Sequence, residues 1–171
     1  MDSSMRFTFA VSLALLLLAA PTWAEDTTPY VVGDVIDAIA LEDQHGDPGA
    51  VDASTRVVLF SRDMDGGDLL KEALAEVSAD TLATRGAVYV SDISGMPAFV
   101  ARMMAVPAMR RRPYDMLLDR DGDVTTRLPD AEGKATLIHL DGLRIERIEH
   151  AGNADGVLAG LGLAADDSPG E

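Results

Sequence analysis

The stretch VVLFSRDMDGGDLLKEAL, Val57 to Leu74, places two carboxylates, Asp65 and Asp68, on either side of Gly66-Gly67, where a buried strand reads into an amphipathic helix. Acids three residues apart in a first helical turn share one face. Three chemistries are then open to them: capping the unpaired N–H groups of the helix, holding a cation, or working as an acid and a base. A helix N-terminus carries about half a positive charge, which holds both groups ionised, and no third ligand stands nearby in the sequence. The expected role is therefore capping by Asp65 and dipole compensation by Asp68.

Other residues invite chemistry and are better read as structure. DRDGDVTTRLPD carries Asp119, Asp121, Asp123 and Asp130, part of a calcium loop, but Val124 stands where that loop needs glycine and Asp130 replaces its closing glutamate. A solvated hairpin turn around Asp121-Gly122 is the expectation. The sulfurs of Met96, Met103, Met104 and Met109 could hold a soft metal such as copper. Their helical spacing beside Phe99 and Val100 reads instead as core. His45, His139 and His150 show no ligand spacing, and His139 falls within a strand. Arg102, Arg110, Arg111 and Arg112 form the one basic cluster; the last three end a helix, whose dipole they suit. With Arg62 and Met64 beside the Asp-Gly-Gly-Asp junction, Arg110, Arg111 and Arg112 are the candidate contacts for a ligand or partner. No strand precedes a G-x-G-x-x-G loop and no G-x-S-x-G elbow occurs, so neither a nucleotide-cofactor dehydrogenase nor a serine hydrolase is indicated.

The chain has 29 acidic residues against 14 Lys and Arg, a formal charge of −15, and no cysteine. That charge opposes phosphate backbones and anionic lipid surfaces, so nucleic acid is not an expected partner. Arg6, the apolar run FTFAVSLALLLLAA, Pro21 and Thr22-Trp23-Ala24 read as a signal peptide over residues 1–24 with cleavage after Ala24. The run is shorter than the roughly 20 residues of a spanning helix, so stable membrane insertion is not expected after cleavage. MRFTFAVS, from Met5, is a more usual opening than MDSSMRF, so either Met5 or Met1 can be the start. An exported, periplasmic protein meets an oxidising compartment, yet this one has no disulfide to draw on and must hold together by packing.

The elements that position these residues follow from pattern. VVGDVIDAIALEDQHGDPGAVD reads as a small hairpin. Val57 to Phe60 is a strand buried on both faces, and Leu70, Leu74, Val77 and Leu82 lie on one helical stripe. Ala87 to Val90 is a strand; Gly95-Met96-Pro97 opens a second helix, which Pro107 bends or ends. Tyr114 to Leu118 and Val124 to Leu128 read as one hairpin, Lys134 to Leu140 and Leu143 to Ile148 as another, and Asn153 caps a last helix to Leu161. Residues 25–162 form one domain and 163–171 a flexible tail.

This order resembles the thioredoxin fold, and its peroxiredoxin-like branch in particular, through the leading segment VGDVIDAIALEDQHGDPGAVD and the extra YDMLLDRDGDVTTRLP before the final hairpin. The resemblance implies a central mixed sheet flanked by helices, with an N-terminal hairpin and an extra β-hairpin before a closing ββα unit. It places the redox Cys-Gly-Pro-Cys on Asp65, Gly66, Gly67 and Asp68, the usual tryptophan on Met64, and the cis-proline near Ala135. With aspartate at both cysteine positions, thiol–disulfide and cysteine-dependent peroxidase chemistry are closed. The expected function is a non-catalytic binding or interaction module of the cell envelope, with a protein or small molecule as partner and no cofactor. Two alternatives are an enzyme using carboxylates at the old active-site edge, and a copper-handling protein using the methionines.

Overall fold

The structure, a computed structural model, describes residues 27–164. The expected signal peptide and residues 165–171 of the expected tail lie outside them. A hairpin of β1 (Ile39–Glu42) and β2 (Pro48–Val51) comes first. The central sheet has β3 (Val57–Ser61), β4 (Ala87–Asp92), β5 (Met116–Asp119), β6 (Ala135–Asp141) and β7 (Arg144–Ala151), in the order β5-β4-β3-β6-β7. β3 pairs in parallel with β4, and β4 with β5, while β6 and β7 run antiparallel. Parallel neighbours need crossovers. The first is α1 (Met64–Ala73) and α2 (Ala79–Thr84); the second is an arm of α3 (Ala98–Val100), a π-turn (Ala101–Ala105) and α4 (Val106–Met109). α5 (Ala154–Gly160) closes the chain, capped as expected by Asn153, whose side chain accepts from Gly156 N–H at 2.8 Å.

Every residue of β3 is buried because both faces of the sheet are covered. Leu59 packs with Leu70, Leu74, Leu137 and Val157 under the helices. Val58 and Phe60 point the other way, to Ile36, Val51, Leu128 and Ile138 under the N-terminal segment. The hairpin is tied to the sheet by fully buried Gln44: its amide donates to Tyr114 O at 2.9 Å and accepts from Met116 N–H at 2.8 Å.

Four expectations need correction. The stripe Leu70 to Leu82 is two helices, because the chain turns after Leu74 and Ser78 caps α2 by accepting from Thr81 N–H at 3.2 Å; both helices bury their leucines on the same side of the sheet. The extra hairpin is absent, and residues 124–128 are turns. Asp119, 2 % exposed, winds them: its carboxylate accepts from Gly122 N–H, Thr125 N–H and Thr125 Oγ1 at 2.8–2.9 Å, and those bonds take the place of a strand ladder. Of the two outcomes expected at Pro107, ending the helix is overturned: Pro107 sits in the first turn of α4, after a π-turn wide enough to relieve the clash of its ring with the preceding turn. Finally, the methionine-rich arm is not core. Phe99, Met103 and Met104 are 68 %, 58 % and 67 % exposed, and Val106 is the arm's buried anchor.

His139 on β6 lies 2.8 Å from Glu149 on β7, beside Arg147. Burial lowers its pKa, Arg147 lowers it further, and the pull of Glu149 does not restore it. The unfolded chain therefore takes up this proton at a higher pH than the folded one. The contribution of His139 to stability is complete above its ordinary value of 6.5 and is lost as pH falls through the folded value. Melting curves of wild type and His139→Gln between about pH 7.5 and 5 should show a shallower acid-side decline in the variant.

Candidate functional site

The junction after β3 is built by Asp63, a residue the sequence reading passed over. Asp63 is the N-cap of α1, in extended backbone; its Oδ1 accepts from Gly66 N–H at 2.7 Å and its Oδ2 from Gly133 N–H at 2.7 Å. The cap therefore does not fall on Asp65. The helix starts two residues upstream of the expected start, so Asp65 stands exposed in the first turn and Asp68 pairs with Lys71. Asp65 complements the dipole from the first turn, whereas Asp68 lies beyond that turn and does not take the dipole role expected of it. Gly66 is buried against the carbonyl of Lys134, which brings Ala135, fully buried at the start of β6, beside this end of α1. The sequence-placed junction and Ala135 thus meet in space. Asp65 and Asp68 do not converge on one cavity, since Asp68 lines the cleft beside α1 and Asp65 does not.

That cleft, about 640 Å³, opens at the C-terminal ends of the parallel strands β3 and β4, where open α/β sheets place their ligand crevices. One wall is the first turns of α1, with Met64, Gly67 and Lys71; the other is the arm, with Met96, Val100, Met104 and Ala108 at helical spacing. Six of the eight methionines lie among the described residues, and five of those, Met64, Met96, Met104, Met109 and Met116, line this one cleft. Met64 is 76 % exposed. Flexible, polarisable thioethers make a wall that reshapes around what it holds.

Six charged side chains, Arg62, Asp63, Asp68, Lys71, Asp92 and Arg112, line the cleft with the hydroxyls of Tyr89, Ser91 and Tyr114. Ser61 Oγ lies 3.3 Å from both Tyr89 Oη and Ser91 Oγ, a hydroxyl cluster on strand ends that sequence analysis missed. The signal was there in VVLFS and VYVS, where a serine closes each apolar strand. Burial pushes the Tyr89 pKa up to about 12, so its hydroxyl stays protonated at any physiological pH. Tyr114 packs against it, ring centroids 6.2 Å apart. Arg62 is spoken for: it pairs with Asp92 at 3.4 Å and Asp130 at 3.1 Å, donates to Thr125 O at 2.7 Å, and lies over the Phe60 ring. Arg110 donates to Gln44 O at 2.7 Å, and Arg111 is exposed outside the cleft. Of the three consecutive arginines, Arg112 alone reaches the cleft. Among the described residues no group of three or more His, Cys, Asp or Glu is placed to hold a metal, and no helix is long and apolar enough to cross a membrane.

No protein-family model and no curated protein sequence matches this chain. Solved structures do. The peroxidoxin BcpB from Mycobacterium tuberculosis superposes with a TM-score of 0.52 at 20 % identity, over 77 % of this chain and 94 % of that one. A protein-disulfide-isomerase-like protein from Bacteroides thetaiotaomicron superposes with a TM-score of 0.55 at 13 % identity, over 77 % and 86 %. At such identities the likeness is one of fold. Together with the five-stranded mixed sheet and its helical crossovers, it establishes that this chain has the thioredoxin-like fold, in a form with no cysteine to carry redox chemistry.

Proposed function

We propose that the protein is an exported, non-catalytic member of this fold that uses the methionine-lined cleft to bind an apolar ligand in the cell envelope. The observation that carries the reading is the gathering of five methionines into one cleft at the end of α1. Cleft size and lining support it, since small-molecule sites run to roughly 300–1,000 Å³ with mostly apolar walls and a few polar groups. Export rests on the character of residues 1–24 alone. An enzyme built on Asp65 and Asp68 is less well supported, because the two do not face a common space.

The test uses protein purified from the envelope fraction, its N-terminus read by mass spectrometry and expected at Glu25. The neutral dye N-phenyl-1-naphthylamine should bind saturably with enhanced emission, and Ala108→Trp, which fills the cleft, should weaken it about tenfold or more. Unsaturable or unaltered binding in the variant would refute the cleft as the site. The copper reading draws on the same sulfurs and separates cleanly. Replacing Met64, Met96 and Met104 together with leucine keeps the apolar wall and removes thioether ligands, so dye binding should persist, whereas a silver-ion site would vanish.

A further inference from the structure

We propose that the ligand of this cleft is a single-chain amphiphile with a carboxylate head, a fatty acid, whose head is held by Arg112 and whose alkyl chain lies along the methionines. The inference rests on the cleft being a binding site and names what it takes. Three cationic side chains line the cleft, and two are engaged: Arg62 by Asp92 and Asp130, Lys71 by Asp68. Arg112 is half-buried, and its guanidinium has no hydrogen bond or ion pair among the described residues. It lines the same cleft as Tyr89, Ser91 and Tyr114, whose hydroxyls give that cleft its uncharged hydrogen-bonding groups. A guanidinium without its own carboxylate, next to hydroxyl donors, is a carboxylate receptor.

Charge narrows the class. From Gly95 to Tyr114 the chain carries four arginines and no acid against a formal charge of −15, and Arg112 is the one of the four that lines the cleft. Asp63, Asp68 and Asp92 also border the cleft, and they set a limit: a single negative charge can be balanced by Arg112, whereas a phosphate dianion meets three carboxylates. The wall narrows it further. Met96 and Met104 stand opposite Met64, and the two aromatic rings of the lining, Tyr89 and Tyr114, pack against each other. Unbranched, rotatable side chains suit an unbranched, rotatable ligand.

The experiment titrates octanoate, decanoate and dodecanoate, with 1-decanol as the uncharged partner of decanoate, into the wild-type protein and Arg112→Gln. Displacement of N-phenyl-1-naphthylamine and amide chemical shifts are followed. Wild type should bind the acids with affinity rising roughly fourfold per CH2, as expected for burial of an alkyl chain. Decanoate should bind about tenfold or more tighter than decanol, and Arg112→Gln should erase that preference while leaving decanol within about twofold. Shifts in wild type should centre on Ser91, Arg112 and Tyr114, a readout independent of how the variant folds. Equal binding of decanoate and decanol, or dye binding that decanoate does not displace, would overturn the carboxylate assignment and leave the cleft standing. Failure of the dye and every amphiphile to bind would bring down both.

Discussion

Gly66→Ala is expected to lower the melting temperature by roughly 5–10 °C, while the same change at the next residue, Gly67→Ala, should leave it unchanged or raise it by a few degrees. Both glycines lie inside α1, where alanine is the better helix former by about 1 kcal/mol, so propensity alone would have both changes stabilise. Surroundings decide otherwise. A Cβ on Gly66 would run into the carbonyl oxygen of Lys134, stand 3.0 Å from its carbon, and crowd Asp63 Oδ1 at 3.3 Å. Lys134 leads directly into β6 and cannot give way like the end of a flexible side chain, so helix and strand must part. Overpacking against backbone falls at the upper end of about 1–3 kcal/mol and so exceeds the propensity gain. A Cβ on Gly67 meets nothing nearer than Ser61 Oγ at 3.7 Å, an ordinary contact. Thermal melts of the two single variants check the pair. If Gly66→Ala melts at or above wild type, α1 does not pack against the start of β6 as described.

What the sequence made legible here, and what it did not, divides along the range of the interaction. β3 could be read because four consecutive buried apolar residues have no other stable use, and α5 because Asn153 caps its own helix locally. The core leucines of α1 and α2 could be read as a stripe, although not the break between them, which rests on Ser78 capping a second start. The turns at 124–128 were hidden because Val124 to Leu128 has strand composition, and only the reach of buried Asp119 to Gly122 and Thr125 decides against a strand. The arm misled for a related reason. A stripe at helical spacing says that one side of a helix is apolar, but not what covers it, and here Met104 lines the open cleft and Phe99 is exposed outside it. The cleft is assembled from α1, β4, the arm and β5, so no window of sequence contains it.

The question the junction poses, which carboxylate secures the helix, has a measurable answer. Asp63→Ala should cost on the order of 2–3 kcal/mol, and Asp65→Ala and Asp68→Ala each less than about 0.5–1 kcal/mol. The three acids lie within six residues and look alike in sequence; their bonds differ. Asp63 uses one oxygen on Gly66 N–H in the first turn of α1 and the other on Gly133 N–H in the loop leading to β6, so it caps the helix and ties it to a distant segment at once. Removing it leaves two N–H groups, both partly withdrawn from water, without their charged acceptor. Asp68 holds only an exposed pair with Lys71, and Asp65 stands in solvent, where its value is its place in the dipole's field. Asp63→Asn sharpens the comparison. Its single amide oxygen can still accept from Gly66 but leaves Gly133 facing an NH2, so about half the loss should return. Denaturant melts of the four variants rank them directly. Were Asp65→Ala the most costly, the helix would begin two residues later, as the sequence pattern alone suggested, and the wall that carries Met64 into the cleft would have to be redrawn with it.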